Sequence, residues 1–501
     1  MRLSGVAVAL ACCVAFPAGP LVAQCPDGTP PPCAGQRPPA PAPNSVAVLT
    51  FENVTRDTSA QYLAEGLADQ VFTRLGAVGR LTMVSRTAVR RLRNADQLSV
   101  QQIGRALNVA YLVSGSIRAA GGRVRVNAEA LRAATGEAVW SSAYDRASDD
   151  LVGLEEAIAT EVAQGVAGRL SPKERRALGR RLSVSGAAYD QFLHGNVLLA
   201  RRSPASLQGA IAAYRAATAA DSGFADAFGR LAYAYALCAT WECANTDSLL
   251  SLGRQAAAHA LQIAPRSSDA WLGRAADLFA WVLTRGNADD SLLAALAGFR
   301  RAVELNPRND EAWHQMGDLL EWLNDSASID AFRHALALDP SRAVSYGHLS
   351  LTLHVIGRND AALATMDSAL ALEPEGAFRS WRVLYLMVAG DTTAALADAR
   401  KVPGISIARA ALAALAHDTV FAREFESGPA ASLPCPGTPI TLYRLWAGRR
   451  EQAAQSVLQC PPSLMTRWQL RLPSLASLAD DPRIRDLRAA CDSILARARW
   501  Q

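Results

Sequence analysis

The chain has 501 residues, of which 50% are hydrophobic, and this length suggests two or three folded domains. Its 51 basic residues nearly balance its 46 acidic ones, which gives a formal net charge of +5. Because the two signs are interspersed, the composition argues against a nucleic-acid-binding protein, in which basic residues concentrate on one face.

The first 24 residues have the pattern of an export signal. Arg2 supplies a positive start, Val6 to Phe16 form an apolar core, and small residues precede Gln24. This core is too short for a membrane-spanning helix, and no later run of about 18 residues is apolar and uncharged. Gln24 before Cys25 also differs from the small residue expected before a lipid-modified cysteine. We therefore predict export to the periplasm or the medium, without a lipid anchor.

The cysteines outside the predicted signal suit an oxidising compartment. Six of them form three pairs that are close in sequence, and the disulfide candidates are Cys25 with Cys33, Cys238 with Cys243, and Cys435 with Cys460. A zinc site is the alternative, but no pair has the Cys-x2-Cys spacing with a second pair nearby. The remaining Cys491 is predicted to be a buried apolar position.

Residues 25–44 are rich in proline and predict a semi-rigid linker. Residues 45–170 have a different pattern, in which short apolar runs at Val46–Leu49 and Leu81–Val84 predict strands. A helical stripe lies between them, and a Ser-Val-Gln-Gln capping pattern at Ser99 starts a second helix. Three further strands, joined by glycine-containing turns, and a final helix from Leu151 complete the predicted α/β domain.

This region resembles the TolB amino-terminal-like domain. The blocks that carry the resemblance are Ser45–Asn53, Tyr62–Leu67, Ile103–Arg105, Tyr111–Arg118, Ala134–Glu137, Val139–Trp140 and Tyr144–Arg146. The resemblance implies an α/β module without known catalytic residues, commonly followed by tetratricopeptide repeats. Family members often begin with a cytoplasmic effector such as a nucleotide cyclase, a protein kinase or a DNA-binding domain. Since this chain begins with an export signal instead, we expect only the sensor or interaction part of that architecture.

A basic stretch at residues 171–186 predicts a linker helix with a solvated arginine face. Residues 187–402 then repeat a helix-ending pattern of alternating alanine and aliphatic residues before a proline, at Pro265, Pro307, Pro340 and Pro374. The proline spacings are 42, 33 and 34 residues. An aromatic residue follows three of these prolines by six positions. A period near 34 residues is typical of a tetratricopeptide array, which the chain resembles here.

The 42-residue unit has about eight extra residues, which we assign to a polar loop at Thr284–Asp290. Residues 403–501 keep a weaker helical pattern and predict degenerate repeats with a carboxyl-terminal cap, because terminal units must cover an exposed core. The predicted fold class is thus α+β and multidomain, with a small α/β domain followed by an all-α superhelical solenoid.

The chain lacks the sequence patterns of common enzyme sites. It has no Gly-x4-Gly-Lys-Ser/Thr loop, no Gly-x-Ser-x-Gly elbow and no His-Glu-x2-His helix. Its seven histidines are scattered, and we expect no catalytic, cofactor or metal site. The predicted function is non-covalent binding of a protein or peptide partner by the array. The alternative is a component that binds an envelope polysaccharide or a small solute.

In the repeat family, first helices form the concave wall of the array. Transferred to this chain, the family positions predict a partner groove lined by Tyr233, Phe279, His314, Asp318, Glu321, His354, Trp381 and Tyr385. Exposed aromatic residues with interspersed acids suit an extended basic or apolar segment. The alternative is that the aromatic residues pack between helices.

Overall fold

The structure of the chain, a computed structural model, describes residues 40–55, 61–84, 89, 92, 97–179, 185–241, 243, 245–285, 289–323, 326–340, 342–374, 378–402, 407–416, 418–427 and 437–500. The predicted export signal, most of the proline-rich linker, Cys25, Cys33 and Cys435 lie outside these residues. Among the described residues, no helix is both long and apolar enough to cross a membrane.

A mixed sheet forms the centre of the amino-terminal domain. Strand β1 (Ser45–Val48) is parallel to both of its neighbours, β3 (Thr82–Met83) and β4 (Tyr111–Ala120). Strands β5 (Arg123–Arg132) and β6 (Ala138–Ala147) continue the sheet as an antiparallel meander, so the order is β3-β1-β4-β5-β6. A two-residue strand that the sequence did not predict, β2 (Glu52–Asn53), also pairs with β4.

Helices cover both faces of this sheet, because alternate residues of a strand point to opposite sides. Helices α1 (Gln61–Gly76) and α3 (Leu151–Ala167) bury leucine and valine side chains on one face. Each such side chain contributes about 1.5–3 kcal/mol when fully buried. Helix α2 (Val100–Leu107) packs with the alternate residues Ala47 and Leu112 on the other face. The predicted capping box is confirmed, because Ser99 and Gln102 cap each other's backbone amides.

After a short helix α4 (Pro172–Leu178), the chain forms antiparallel helix pairs that stack in sequence order. The first helices of the pairs are α5 (Gly186–Ala200), α7 (Ala225–Thr240), α9 (Ser268–Arg285), α11 (Asp310–Trp322), α13 (Ala343–Val355) and α15 (Phe378–Ala389). The second helices are α6 (Pro204–Ala220), α8 (Thr246–Ile263), α10 (Asp289–Leu305), α12 (Ala327–Leu338), α14 (Asn359–Leu372) and α16 (Thr392–Ala399).

The extra residues of the 42-residue unit lengthen its helices instead of its loop. Helix α9 has 18 residues and α10 has 17, whereas α11 has 13 and α12 has 12. Only residues 286–288 separate α9 from α10. The expected loop insertion at Thr284–Asp290 is therefore wrong, because apolar residues on both sides of it, among them Val282 and Leu292, are buried and continue the two helices.

The second and third repeats approach each other at the level of the backbone. A Cβ atom on Gly229 of α7 would lie 2.4 Å from the carbonyl carbon of Asp269, and one on Gly273 of α9 would lie 2.4 Å from the carbonyl oxygen of Gly229. Real Cβ atoms are not found at such distances from backbone atoms. Glycine at both positions therefore allows α7 and α9 to pack closely.

The α/β domain is joined to the first repeat by a buried polar contact. The Tyr189 hydroxyl on α5 donates to Glu155 Oε2 on α3 at 2.6 Å, and Arg74 Nε on α1 lies 3.6 Å from the same oxygen. All three side chains are at most 7% exposed. Burial raises the pKa of the Glu155 carboxyl to about 8, although Arg74 and the Tyr189 hydrogen bond act in the opposite direction. A second hydrogen bond joins Tyr62 to Asp190 at 2.7 Å.

Two weaker helix pairs follow the repeats, namely α17 (Ile407–Leu415) with α18 (Thr419–Ser427) and α19 (Gly437–Trp446) with α20 (Arg450–Leu458). The chain then forms α21 (Leu464–Gln469), a 3₁₀ helix (Pro473–Leu478) and α22 (Pro482–Trp500). We call residues 464–500 the carboxyl-terminal segment.

The carboxyl-terminal segment reaches well beyond the last helix pair. Helix α21 packs on α11, the 3₁₀ helix packs on α15, and α22 packs on both α20 and α10. Five of its apolar side chains are at most 3% exposed and join one cluster with residues of α13, α15, α19 and α20; they are Leu470, Leu472, Leu475, Leu478 and Ile484. The segment thus covers earlier repeats as well as capping the final pair.

Among the described cysteines, Cys238, Cys243 and Cys491 are free thiols, and Cys460 is disulfide-bonded. The structure therefore does not contain the expected disulfide between Cys238 and Cys243. Instead, the Cys243 amide donates to the Cys238 carbonyl oxygen at 3.0 Å, and burial raises the pKa of the Cys238 thiol to about 12. Because the thiolate is the reactive form, this shift keeps Cys238 unreactive. Cys491 is fully buried, as expected.

We still predict that Cys460 is bonded to Cys435, which lies outside the described residues. Proteolysis under non-reducing conditions should recover a peptide with Cys460 linked to one with Cys435, as measured by mass spectrometry, and reduction should separate them. Recovery of Cys460 linked to Cys491, or as a free thiol, would contradict this pairing.

Candidate functional site

A buried charged network connects the first helices of several repeats. Glu311 at the start of α11 accepts hydrogen bonds from Arg202 and, at 2.7 Å, from the Tyr233 hydroxyl of α7. Its other oxygen lies 3.0 Å from Arg342, and Gln315 donates to Tyr233 at 3.1 Å. Burial alone would raise the pKa of Glu311, but Arg202 and Arg342 outweigh it and hold that pKa well below its usual value. The network therefore contains an ionised carboxylate between two arginines.

This network explains why Tyr233 is not a groove residue. Its side chain is fully buried, and its hydroxyl is occupied by Glu311, Arg202 and Gln315. Arg202 has a φ of 50° just after α5, which is uncommon for a residue with a side chain. The prediction that Tyr233 contacts a partner is wrong, because its ring and hydroxyl both join the repeats to each other.

Four other predicted groove residues also lie in the core, namely Phe279, His314, His354 and Tyr385, each at most 2% exposed. Phe279 meets Phe299 edge to face at a centroid distance of 6.4 Å. His314 Nδ1 lies 2.9 Å from Ser345 Oγ, while burial and then Arg342 lower the pKa of the imidazole well below its usual value. These residues pack between helices, so their prediction as exposed contacts is wrong.

Tyr385 and His354 form one of these interhelical contacts. Their rings stack at 4.4 Å, His354 Nδ1 lies 2.7 Å from Asn359 Oδ1, and the Tyr385 hydroxyl lies 3.1 Å from Ser350 Oγ. A variant that lacks Tyr385 would therefore lose core packing, and it could not test partner binding without also disturbing the fold.

The remaining three predicted residues, Asp318, Glu321 and Trp381, converge on a histidine that was not predicted. His348 Nδ1 on α13 lies 3.3 Å from Glu321 Oε2 and 3.8 Å from Asp318 Oδ1, both on α11. Trp381 on α15 meets the His348 ring edge to face at 5.6 Å. We call these four residues the acid–imidazole cluster. The side chains of Asp318 and His348 remain 16% and 20% exposed.

The charges of the acid–imidazole cluster are coupled. Burial would lower the pKa of His348, but Asp318 and Glu321 outweigh it and raise that pKa to about 9. Burial raises the pKa of both Asp318 and Glu321, and His348 only partly offsets this effect. The three groups carry one excess negative charge when both carboxyls are ionised. Among the described residues, Asp318 Oδ1 also has no hydrogen-bond partner.

A carboxylate pair with one excess charge can bind a cation, because a buried charge is stable only when it is paired. An arginine or lysine side chain of a partner would supply that charge, and Trp381 would supply an apolar face beside it. The described residues contain no group of three or more histidine, cysteine or acidic side chains arranged to hold a metal ion. The excess negative charge and the adjacent Trp381 ring suit the cluster to a basic side chain.

The acid–imidazole cluster is bordered by the carboxyl-terminal segment. Trp468 of α21 stacks on Trp322 at the end of α11, with a centroid distance of 5.8 Å and an interplanar angle of 28°. A side-chain hydrogen bond from Trp322 lowers the pKa of Asp318, after the larger effects of burial and His348. Trp381 also packs against the apolar cluster that contains Leu475 and Leu478.

Sequence reasoning missed His348, although a signal for it was present. His348 follows the aromatic residue Tyr346 by two positions, whereas the groove positions taken from the family are one, five and eight residues after the aromatic residue. The histidines 314 and 348 are 34 residues apart, which is one repeat. Residues one repeat apart tend to lie side by side in neighbouring repeats, so this spacing could have predicted that the two imidazoles are neighbours. Their ring centroids are indeed 5.6 Å apart.

The fold and the site together define a helical-repeat protein of stacked antiparallel helix pairs with an amino-terminal α/β domain. No family model matches the chain. A protein of Rhizobium meliloti (strain 1021) named "Putative adenylate cyclase 3" is 30% identical over 162 residues, which are 32% of this chain and 27% of that protein. The chain thus spans about a quarter of that relative's length.

Tetratricopeptide proteins recur among the similar solved structures. TTC0263, a TPR protein of Thermus thermophilus, is 19% identical with a TM-score of 0.34, covering 40% of this chain and 100% of that chain. Yeast Tom70 is 14% identical with a TM-score of 0.34, covering 60% and 66%. TolB from Acinetobacter baumannii is 20% identical with a TM-score of 0.21, covering 26% and 30%. At these values, no function is transferred to this chain.

Proposed function

We propose that this chain is an exported, non-catalytic interaction scaffold whose helical repeats bind a protein or peptide partner. The partner contributes a basic side chain to Asp318 and Glu321, and its neighbouring apolar residues pack on Trp381. The TolB-like resemblance of the amino-terminal domain supports a sensor or interaction role without supplying a catalytic group.

One observation carries this proposal: two carboxylates on α11 share a single imidazolium in a largely buried position. Burial raises the pKa of both carboxyls, so a cationic partner group would be bound partly by restoring their ionised form. Charge complementarity of this kind also sets partner choice and the association rate.

The test compares the wild-type chain with a variant that carries Asp318→Asn and Glu321→Gln. Proteins captured from an envelope extract and quantified by mass spectrometry should bind the variant at least about a hundredfold less, since two lost charged contacts of about 1.5–3 kcal/mol each amount to about 3 kcal/mol or more. Binding to the wild type should also weaken as salt is added.

An exposed carboxylate on the neighbouring helix provides the matched control. Asp330 of α12 is 77% exposed and pairs with Arg333, so Asp330→Asn should capture the same proteins as the wild type. Equal capture by the wild type and the double variant would contradict the proposal. Specific binding to a glycan array with no protein partner would favour the alternative, a polysaccharide-binding component.

A further inference from the structure

The carboxyl-terminal segment lies against the same helices that carry the acid–imidazole cluster. Helix α21 packs on α11 through Trp468 and Trp322, and the 3₁₀ helix packs on α15, which carries Trp381. Since α13, with His348, lies between α11 and α15 in the stack, the segment has contacts on both sides of the cluster. A partner that uses Asp318, Glu321 and Trp381 would meet the segment there.

The segment makes polar contacts both within itself and with α20. Within it, Arg467 pairs with Asp492 at 2.6 Å and Arg488 donates to the carbonyl oxygen of Leu470 at 2.6 Å. The polar contacts between the segment and α20 lie at the surface. Arg483 pairs with Glu451 at 3.0 Å, but these side chains are 45% and 67% exposed, and exposed pairs of this kind contribute little to stability.

The connection between the segment and α20 is short. Residues 459–463 separate Leu458 from Leu464 and include Pro461 and Pro462. The segment is therefore an internally connected unit that adjoins α20 and reaches back to α11 and α15. Release of α21 and the 3₁₀ helix would break the contacts of their leucines with the apolar cluster described above, so a partner that takes their place must supply apolar side chains of its own.

We infer that α21 and the 3₁₀ helix are an intramolecular ligand, which must leave α11 and α15 before a partner can bind the acid–imidazole cluster. This inference rests on the proposed function, since it concerns access to the same surface. The internal ligand supplies an aromatic ring to Trp322 and leucines to α15. An external peptide with a tryptophan and spaced leucines therefore competes with it.

The experiment measures binding of a fluorescein-labelled peptide to the full chain. The peptide has the sequence of residues 463–478. Anisotropy titrations compare the wild type with Trp468→Ala, which weakens the internal ligand but leaves the surface on α11 and α15 intact. The variant should bind the peptide about tenfold more tightly than the wild type, because an aromatic contact of the internal competitor is lost. Adding Trp322→Ala to that variant should remove the gain, since the surface then lacks its own aromatic ring.

Two controls make the titration specific. Trp241, which is 45% exposed at the end of α7, gives the matched variant Trp241→Ala, and this should bind like the wild type. A peptide in which alanine replaces the tryptophan should bind more weakly to Trp468→Ala. Equal peptide affinity of the wild type and Trp468→Ala would overturn the inference, as would a gain that persists when Trp322 is also replaced.

Hydrogen exchange of the wild-type chain decides the matter if Trp468→Ala fails to fold. Amides of residues 466–478 should exchange faster than those of residues 346–354 in α13, because local release of the segment leaves α13 folded. Exchange of both regions at the same slow rate would mean that the segment opens only on global unfolding, and the inference would be wrong. Because the probe is the chain's own sequence, these results do not depend on whether the partner search succeeds.

Discussion

Replacing Glu311 with glutamine is expected to lower the free energy of unfolding by about 3–5 kcal/mol. The substitution keeps the shape of the side chain but leaves Arg202, which is 17% exposed, without its carboxylate partner, while Arg342 keeps only its contacts with Asp310 and Asp339. Breaking a buried ion pair by removing one partner leaves a charge that neither water nor protein compensates. Denaturant unfolding followed by circular dichroism measures this change, with the midpoint and the slope reported together.

The matched control for this substitution is Glu304→Gln on α10. Glu304 is 61% exposed and pairs with Arg301 at 3.0 Å, and such surface pairs contribute at most about 1 kcal/mol. The two glutamates therefore differ mainly in burial. Similar losses from both substitutions would show that the network around Glu311 is not the contact that holds these repeats together.

We also expect a large effect of pH on the free energy of unfolding, and its source is His348. Its pKa is raised from 6.5 to about 9, so its contribution to stability is fully present below about pH 6.5 and is lost as the pH rises through about 9. The shift corresponds to about 3 kcal/mol. Asp318 and Glu321 also have raised pKa values, and their contributions to stability likewise decrease with rising pH.

The measurement is the difference in unfolding free energy between the wild type and His348→Gln across pH 6 to 10. The difference should be largest near pH 6 and should decrease by about 3 kcal/mol towards pH 10. The same comparison in a background with Asp318→Asn and Glu321→Gln isolates the cause, because His348 then has no carboxylate to stabilise its charge. A difference that does not vary with pH, or one that persists in that background, would refute the coupling.

The elements of this fold were largely predictable because their signals are local. The capping box at Ser99 and the glycine turns of the meander act over a few residues. The proline spacing of the repeats also reflects contacts between neighbouring helix pairs. The predicted loop insertion after Thr284 was wrong, although its signal was local. The polar stretch there suggested a loop, but the residues around it belong to two long helices with buried faces.

The candidate site was less predictable, because its contacts join residues far apart in the chain. Arg202 and Glu311 are 109 residues apart, and Trp322 meets Trp468 across a longer interval. A repeat pattern places Tyr233 and Tyr385 on first helices, but it does not state which side of each helix a neighbouring repeat or a returning segment will cover. In the interior, Glu311 and Ser350 satisfy the hydroxyl groups of these two tyrosines.

The polar joint between α3 and α5 has a consequence for dividing this protein into fragments. A piece that ends near residue 170 matches the limits of the TolB-like resemblance, yet it separates Glu155 from the Tyr189 hydroxyl and exposes the face of α1 that packs on α5. A recombinant α/β domain that keeps this joint intact extends through Ala200, at the end of α5. The boundary in the sequence pattern and the boundary of a self-contained piece therefore differ by a whole helix, and that helix belongs to both modules.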